Sequence, residues 1–287
     1  MLVKKKVRKF NLAVLKVSST VVDEITIKCL PNMSFFAARN MVNCSLGPID
    51  DARDWMRRHT MPLIDPRTLM SNYAGRKMME DARMKKYILD FIHRADYNIT
   101  DVSVEKKVEP IPADFRDFLM NEGDISKEDK KKLQGKPVYD RVDTNFEHTV
   151  KNARGVEKYT LPNEMQSQGT RRTFGIEAAI YQAMSNDEFL SIDEIESSLH
   201  PELIEFILEQ FLKENSRSQL LVTTHYDPLL NTINDLIRKD SVWFTEKGED
   251  GSSELYSLSD FKGLNKIHSF QKSYRNGRFG ALPNIQV

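Results

Sequence analysis

The 287 residues include only two cysteines, Cys29 and Cys44. Two are too few for a disulfide framework, and their spacing is not that of a metal-ligand pair, so the expected environment is the reducing cytoplasm. Long apolar runs are missing too. No stretch approaches the ~18 residues that a membrane helix needs, and no membrane partner is expected. The basic start MLVKKKVRKF is not followed by the apolar core of a secretion signal. An excess of one charge is also lacking. Lys+Arg and Asp+Glu both number 42, so no global field recruits nucleic acid. Basic runs do occur, at RRH (57–59), RMKKY (83–87) and KKKL (130–133). They read as solvated surface, with DNA binding through a helical region as the alternative. Glycine is sparse, at 12 residues, and no two glycines have the spacing of G-x-x-x-x-G-K-[ST]. The single Gly-Lys pair, Gly135-Lys136, is followed by Pro137, which has neither the N–H nor the hydroxyl that the next position requires. The sequence contains no phosphate-cradling loop of that kind.

What is present, 40% hydrophobic and 29% charged residues, suits a soluble globular protein with two structural units. The first part reads as helix-rich. DEITIKCL (23–30) fits a short strand or a helix end, while NMSFFAARNMVN (32–43) and IDDARDWMRRHT (49–60) read as helices. The segment 66–97 carries Met84, Tyr87, Ile88 and Phe91 at helical spacing. DISKEDKKKLQGKP (124–137) reads as a solvated helix or loop. The texture changes near residue 140. TNFEHTV, the turn KNARG and VEKYTL predict a hairpin over 144–161. A helix at 169–184, a strand at 187–193, a helix at 201–213, a strand at 219–225 and a short helix near 228–237 follow. SVWFTEK and ELYSL flank a turn and predict a second hairpin. The strand–helix alternation over 187–237 points to a parallel sheet.

The stretch SIDEIESSLHP (191–201) raises the chemical question. Asp193 and Glu194 end an apolar run, and in open parallel sheets ligands sit at the carboxyl ends of strands. A carboxylate pair there can hold Mg²⁺ on nucleotide phosphates through Asp193 and activate water through Glu194. The competing reading is that one of them caps a following helix. His225 ends the second apolar strand, where it can touch a terminal phosphate or serve structure alone. Ser167 and Gly169 precede a predicted helix, which suits either phosphate binding or ordinary capping. His59, His93, His148 and His268 are isolated in sequence and read as structural. Pro201 after His200 suits a first helical position.

Taken together, MQSQGTRR resembles a signature motif, FLSIDEIESSLHP a Walker B element with its D-loop, and LLVTTHYDPLL a switch-histidine segment. With the tail DSVWFTEKGEDGSSELYSLSDF and SYRNGRFGALP, they resemble a bacterial and archaeal family of AAA ATPases related to RecF, SMC and OLD proteins. Many of its members belong to abortive-infection or other phage-defence systems. The resemblance covers about 141–287 and is looser over 31–140. It implies an α/β fold: the C-terminal lobe of an ABC-type P-loop NTPase head with a mainly parallel sheet (141–287), preceded by a helical region (1–140). It also implies ATP and Mg²⁺ as cofactors, with Asp193 supporting the metal through water, Glu194 as catalytic carboxylate and His225 as γ-phosphate switch. Ser167 and Gly169 would contact a γ-phosphate held mainly by a facing subunit, and Ser198 to His200 would lie at a dimer seam. Arg171 and Arg172 read as phosphate or interface contacts, or as surface ion pairs.

Members of that family carry the P-loop in an N-terminal lobe, so this chain reads as a member without it. Its strands are then expected to leave unpaired edges. The expectations are an ATPase component that works as a dimer or with a P-loop-bearing chain, with a nuclease-type effector as a candidate partner, or an inactive remnant that docks on an intact relative and regulates it.

Overall fold

The computed structural model describes residues 17–30, 33–68, 70–95, 97–121, 133 and 137–283. The basic start, Gly135-Lys136 and most of 124–137 lie outside the described residues. The chain divides into two compact units, Met1–Met61 and Pro62–Val287.

In the first unit, α1 (Ser19–Lys28), α2 (Phe35–Arg39) and α3 (Pro48–His59) pack around Ile25, Ala38, Val42 and Leu46. DEITIKCL is therefore a helix end, and α2 is shorter than the apolar spacing of 32–43 suggests. Pro48 at the first helical position, Asp50 and Asp51 in the first turn and Arg57, Arg58 and His59 in the last define α3. The buried Arg39 grips Asp50 with two hydrogen bonds, of 2.9 and 2.8 Å. Those bonds hold the Asp50 carboxyl below the ordinary carboxylate range, aided by the Leu46 N–H.

In the second unit, the helical spacing of 66–97 resolves into α4 (Ser71–Glu80) and α5 (Ala82–Arg94). Asp81 makes the break. Its backbone is extended (φ −133°), and its side chain accepts the Arg83 N–H at 2.8 Å, capping α5. Strand β1 (Ile99–Pro110) follows, so the region expected to be helical to residue 140 contains a long strand. Helix α6 (Ala113–Asn121) lies between β1 and β2 (Val138–Asn152), which turns into β3 (Gly155–Pro162). The three strands form an antiparallel sheet in the order β1-β2-β3.

Helix α7 (Gln168–Asn186) leads to β4 (Phe189–Ile192), α8 (Pro201–Lys213) and β5 (Gln219–Val222). β4 and β5 pair in parallel, from Phe189 opposite Gln219 to Ile192 opposite Val222. Ile64 bridges the other side of Ile192, also in parallel. The parallel pairing is there, but the expectation of a mainly parallel sheet is corrected: the largest sheet among the described residues is the antiparallel one. The 144–161 hairpin signal belongs to that sheet, and β1, which extends it, was read as part of a helical region. Both parallel strands are shorter than expected. Asp187, with φ 53°, caps the end of α7, and Thr223 and His225 lie beyond β5. Residues 227–232 form a 3-10 helix in place of the expected short α-helix. β6 (Trp243–Lys247) and β7 (Ser253–Ser257) make the second hairpin, and α9 (Phe270–Arg275) packs nearby through Phe244, Leu258, Phe270 and Phe279.

Helix α7 is the axis of the larger core. Its residues 172–180 are all buried, and Phe174 meets Phe146 of β2 edge-on at 5.1 Å between centroids. Met70 lies so close that a Cβ on Gly175 would sit 2.5 Å from the Met70 Cβ. Within this apolar helix Glu177 is 1% exposed. The Tyr87 hydroxyl donates to its Oε2 at 3.1 Å, while Oε1 has no partner among the described residues. Burial pushes the Glu177 carboxyl up to about 8, the Tyr87 bond opposing.

This carboxyl makes stability depend on pH. Between the ordinary glutamate value and about 8 the unfolded chain ionises Glu177 while the folded chain keeps it protonated. Stability therefore falls as pH rises through that window, by up to about 1.4 kcal/mol per unit, and the slope ends above it. Urea unfolding of Glu177→Gln from pH 5.5 to 8.5 should show this loss largely removed. An unchanged slope would mean Glu177 is ionised in the folded chain.

Candidate active site

The C-terminal ends of β4 and β5 carry the acidic pair and the histidine. Because the strands are parallel and adjacent, the chain leaves both on the same side. The Asp193 N–H donates to the Ile64 carbonyl at 2.8 Å, and the Thr223 N–H to the Ile192 carbonyl at 3.0 Å. These bonds extend the pairing one residue past each strand. Glu194 Oε1 then lies 4.0 Å from His225 Nε2. Both side chains are open to solvent, His225 at 88% and Glu194 at 47% exposure. The structure thus brings together Asp193, Glu194 and His225.

Neither acid caps the following helix. Helix α8 starts at Pro201, and its cap is His200, whose Nδ1 accepts the Glu202 N–H at 3.4 Å. Glu194 instead adopts a left-handed backbone, φ 46°, as does Ser198 at φ 61°. Such a conformation disfavours residues with a Cβ and needs support from its surroundings. Two side chains supply it. The Thr223 Oγ1 accepts the Glu194 N–H at 2.9 Å, and the Arg172 Nη2 donates to the Glu194 carbonyl at 3.0 Å. Thr223 also donates its hydroxyl proton to Asp193 Oδ1. Asp193 Oδ2 has no hydrogen bond among the described residues.

Arg172 connects this loop to α7. The residue is 9% exposed, and its guanidinium donates to the carbonyls of Asp65, Asp193 and Glu194 at 3.0–3.2 Å. Burial lowers its pKa, and the surrounding carboxylates Asp65, Glu194, Glu196 and Asp193 oppose that shift. Arg172 is therefore neither a surface ion pair nor a free phosphate contact. It is a buried clamp on backbone carbonyls. Arg171 makes no side-chain hydrogen bond or ion pair among the described residues, and its Nε is buried. It lines a cavity with Arg172, Ile64, Pro66, Met70 and Ile176. Its volume of about 30 Å³ leaves room for a water or two and far too little for a nucleotide.

At the start of α7, Ser167 is the cap, and its Oγ accepts the Thr170 N–H at 3.1 Å. Ser167 has no bond to the acidic pair or to His225. Gly169 abuts the loop directly: a Cβ there would lie 2.7 Å from the Ser198 carbonyl oxygen. Gly169 and Ser198 are thus in close contact, and Ser167 lies beside that contact, its Oγ 3.9 Å from the same Cβ position and occupied with the helix end.

Sequence reasoning passed over two residues. Thr223 lies just past the apolar run in LLVTTH, where a hydroxyl between a strand end and a histidine was the available signal. Glu196 lies two residues past Glu194, and its Oε1 accepts the His225 N–H at 2.6 Å while Oε2 is buried without a partner among the described residues. Among the described residues no group of three or more His, Cys, Asp or Glu side chains could hold a metal. The site offers a cation the free Oδ2 of Asp193 and the exposed Glu194 carboxylate, which accepts no hydrogen bond among the described residues. That fits Mg²⁺, which keeps several waters and takes its remaining ligands from phosphates.

The family model for an AAA domain, described as a putative AbiEii toxin of a type IV TA system, matches residues 52–231. That span is more than half of the chain, and the chain belongs to this family. The match begins well before residue 141 and ends before the tail hairpin. No curated protein matches the chain. One similar solved structure comes from work on "ATP-driven dimerization and DNA stimulated activation of SMC ATPases". It is 12% identical, with 67% of this chain and 94% of that one covered, at a TM-score of 0.36. Among the described residues no helix is long and apolar enough to cross a membrane.

Gly169→Ala tests the contact between α7 and the loop. Helix propensity alone favours alanine by about 1 kcal/mol. The backbone clash with Ser198 should outweigh it, as overpacking costs about 1–3 kcal/mol. Denaturant unfolding should show a less stable variant. Stability equal to or above that of the wild type would mean that the Ser198 carbonyl is not held against the helix.

Proposed function

We propose that this chain is an ATPase component whose residues supply the hydrolytic side of a nucleotide site. The observation that carries the reading is the convergence of Asp193, Glu194 and His225 at the ends of two adjacent parallel strands. The reaction is ATP + H₂O → ADP + phosphate. Glu194 takes the proton of the water that attacks the γ-phosphorus, and the bond to the ADP oxygen breaks as the new P–O bond forms. His225, within reach of Glu194 and anchored through its backbone by Glu196, contacts the γ-phosphate. Asp193 supports Mg²⁺ through its free oxygen, by way of water, and the ion when bound neutralises phosphate charge. Gly169 allows close approach at the start of α7, where Ser167 and Ser198 meet a nucleotide gripped mainly by residues outside these 287.

That last condition follows from the missing glycine-rich loop. It makes a dimer, or association with a P-loop-bearing chain, part of the proposal, with the described region as a C-terminal ATPase lobe. The outer edge of β5 supports such association. β5 pairs only with β4 among the described residues, and its Leu221 is 53% exposed, whereas parallel strands are ordinarily covered on both sides. The same edge favours a second reading, an inactive subunit that docks on an intact ATPase and regulates it. The family description names a toxin of a type IV TA system, and we propose a prokaryotic phage-defence or DNA-related setting in the cytoplasm, with a nuclease-type effector as a further partner.

The test uses the complex purified by a tag on this chain. It should hydrolyse ATP, and Glu194→Gln should lower kcat by about 100-fold or more while ATP stays bound, in line with loss of a general base. Turnover indifferent to Glu194 and Asp193 would overturn the ATPase reading and favour the regulatory one.

A further inference from the structure

We infer that Thr223 is a positioning residue that sets Asp193 and Glu194 in their working arrangement through one hydroxyl. The inference rests on the ATPase reading above and adds to it a residue that touches neither substrate nor metal.

A threonine hydroxyl has one proton and two lone pairs. Here the proton goes to Asp193 Oδ1, and a lone pair accepts the Glu194 N–H at 2.9 Å. The backbone of Thr223 is itself fixed. Its N–H donates to the Ile192 carbonyl at 3.0 Å, and its carbonyl accepts the Ile195 N–H at 3.1 Å. The hydroxyl therefore projects from a four-residue bracket, Ile192 to Ile195, onto the two acids inside it.

Each of its bonds has a separate consequence. The bond to Asp193 engages one carboxylate oxygen and fixes the rotation of the group, leaving Oδ2 as the oxygen for a cation. The bond to the Glu194 N–H holds that residue in its left-handed conformation, φ 46°, which sends its side chain toward His225 and not along the strand axis. Without the hydroxyl, the Glu194 N–H loses its partner, and the strained backbone keeps only the bonds to its carbonyl, from Arg172 and from the Ser197 N–H at 2.9 Å. Valine matches threonine in shape but cannot make either bond. Thr224, the neighbouring hydroxyl, bonds instead to the Tyr226 N–H at 2.9 Å and serves as the internal control.

The experiment compares Thr223→Val, Thr223→Ser and Thr224→Val, with thermal unfolding as the check on folding. Thr223→Ala replaces the valine variant if that one unfolds. Hydrogen–deuterium exchange of the amides around Glu194, read on the chain without nucleotide, should be at least tenfold faster in Thr223→Val and near wild type in the other two. In the ATPase assay on the complex, Thr223→Val should lower kcat by about 10–100-fold, the effect of a small misplacement of catalytic groups. KM for ATP should stay within about twofold, and Thr223→Ser should restore most of kcat. Unchanged exchange, unchanged kcat beside a crippled Glu194→Gln, or failure of serine to rescue would each overturn the positioning role and leave the ATPase reading standing. If Glu194→Gln itself has no effect, the ATPase reading falls and the positioning role with it.

Discussion

The parallel pairing of β4 with β5 is the constraint on which the site depends. Four residues on each side, Phe189–Ile192 and Gln219–Val222, run in register, so both strands end at one level. Whatever follows them must share a small volume. On one strand that is an acidic pair, on the other two threonines and a histidine. An antiparallel pairing of the same segments would put the acids and the histidine at opposite ends of the ladder. Register matters equally. A slip of one residue would turn every side chain to the other face, separating Thr223 from Asp193.

Helix α7 converts this local arrangement into one supported by the core. Its middle is buried against α4, α5 and the antiparallel sheet, and its N-terminal part touches the acidic loop at two places. Gly169 fits against the Ser198 carbonyl, and Arg172 reaches the carbonyls of Asp193 and Glu194. A buried guanidinium bonded to carbonyls is costly to disturb, because its charge has no alternative solvation. A shift of the helix start would therefore move the loop with it. Glu177, further along, places an acid in the buried middle of the same helix. The link between the helix and the acids is thus made of backbone contacts, which sequence type records poorly.

That distinction explains how much was legible beforehand. Helix α8 was readable to the residue, because Pro201 opens it and Leu203, Ile204, Ile207, Leu208 and Phe211 mark its face. The two hairpins were readable from turn residues between β-rich segments. The acids and His225 were legible because they end apolar runs, and strand ends are where a parallel sheet presents chemistry. β1 was missed because its second half carries Glu105, Lys106, Lys107 and Glu109 around a single exposed Val108 and lacks an apolar face. The predominance of antiparallel pairing was missed for the same reason. Thr223 and Glu196 went unread since each accepts a hydrogen bond from a backbone N–H, which any polar side chain at that spot could do. Arg172 was legible as a charge near the helix start but not as a buried one. Its burial is decided by Asp65 and Ile64, which lie over a hundred residues away in sequence.

The central claim is that the ends of β4 and β5 meet the terminal phosphate of a nucleotide held mainly by residues outside this sequence. The most direct measurement is the affinity of the complex for ADP and for a non-hydrolysable ATP analogue, with wild-type chain and with His225→Ala. The account predicts that the variant loses about tenfold in affinity for the analogue, as expected for one charge-assisted contact of roughly 1.4 kcal/mol, and keeps its affinity for ADP. Equal losses for both nucleotides, or none for either, would contradict it.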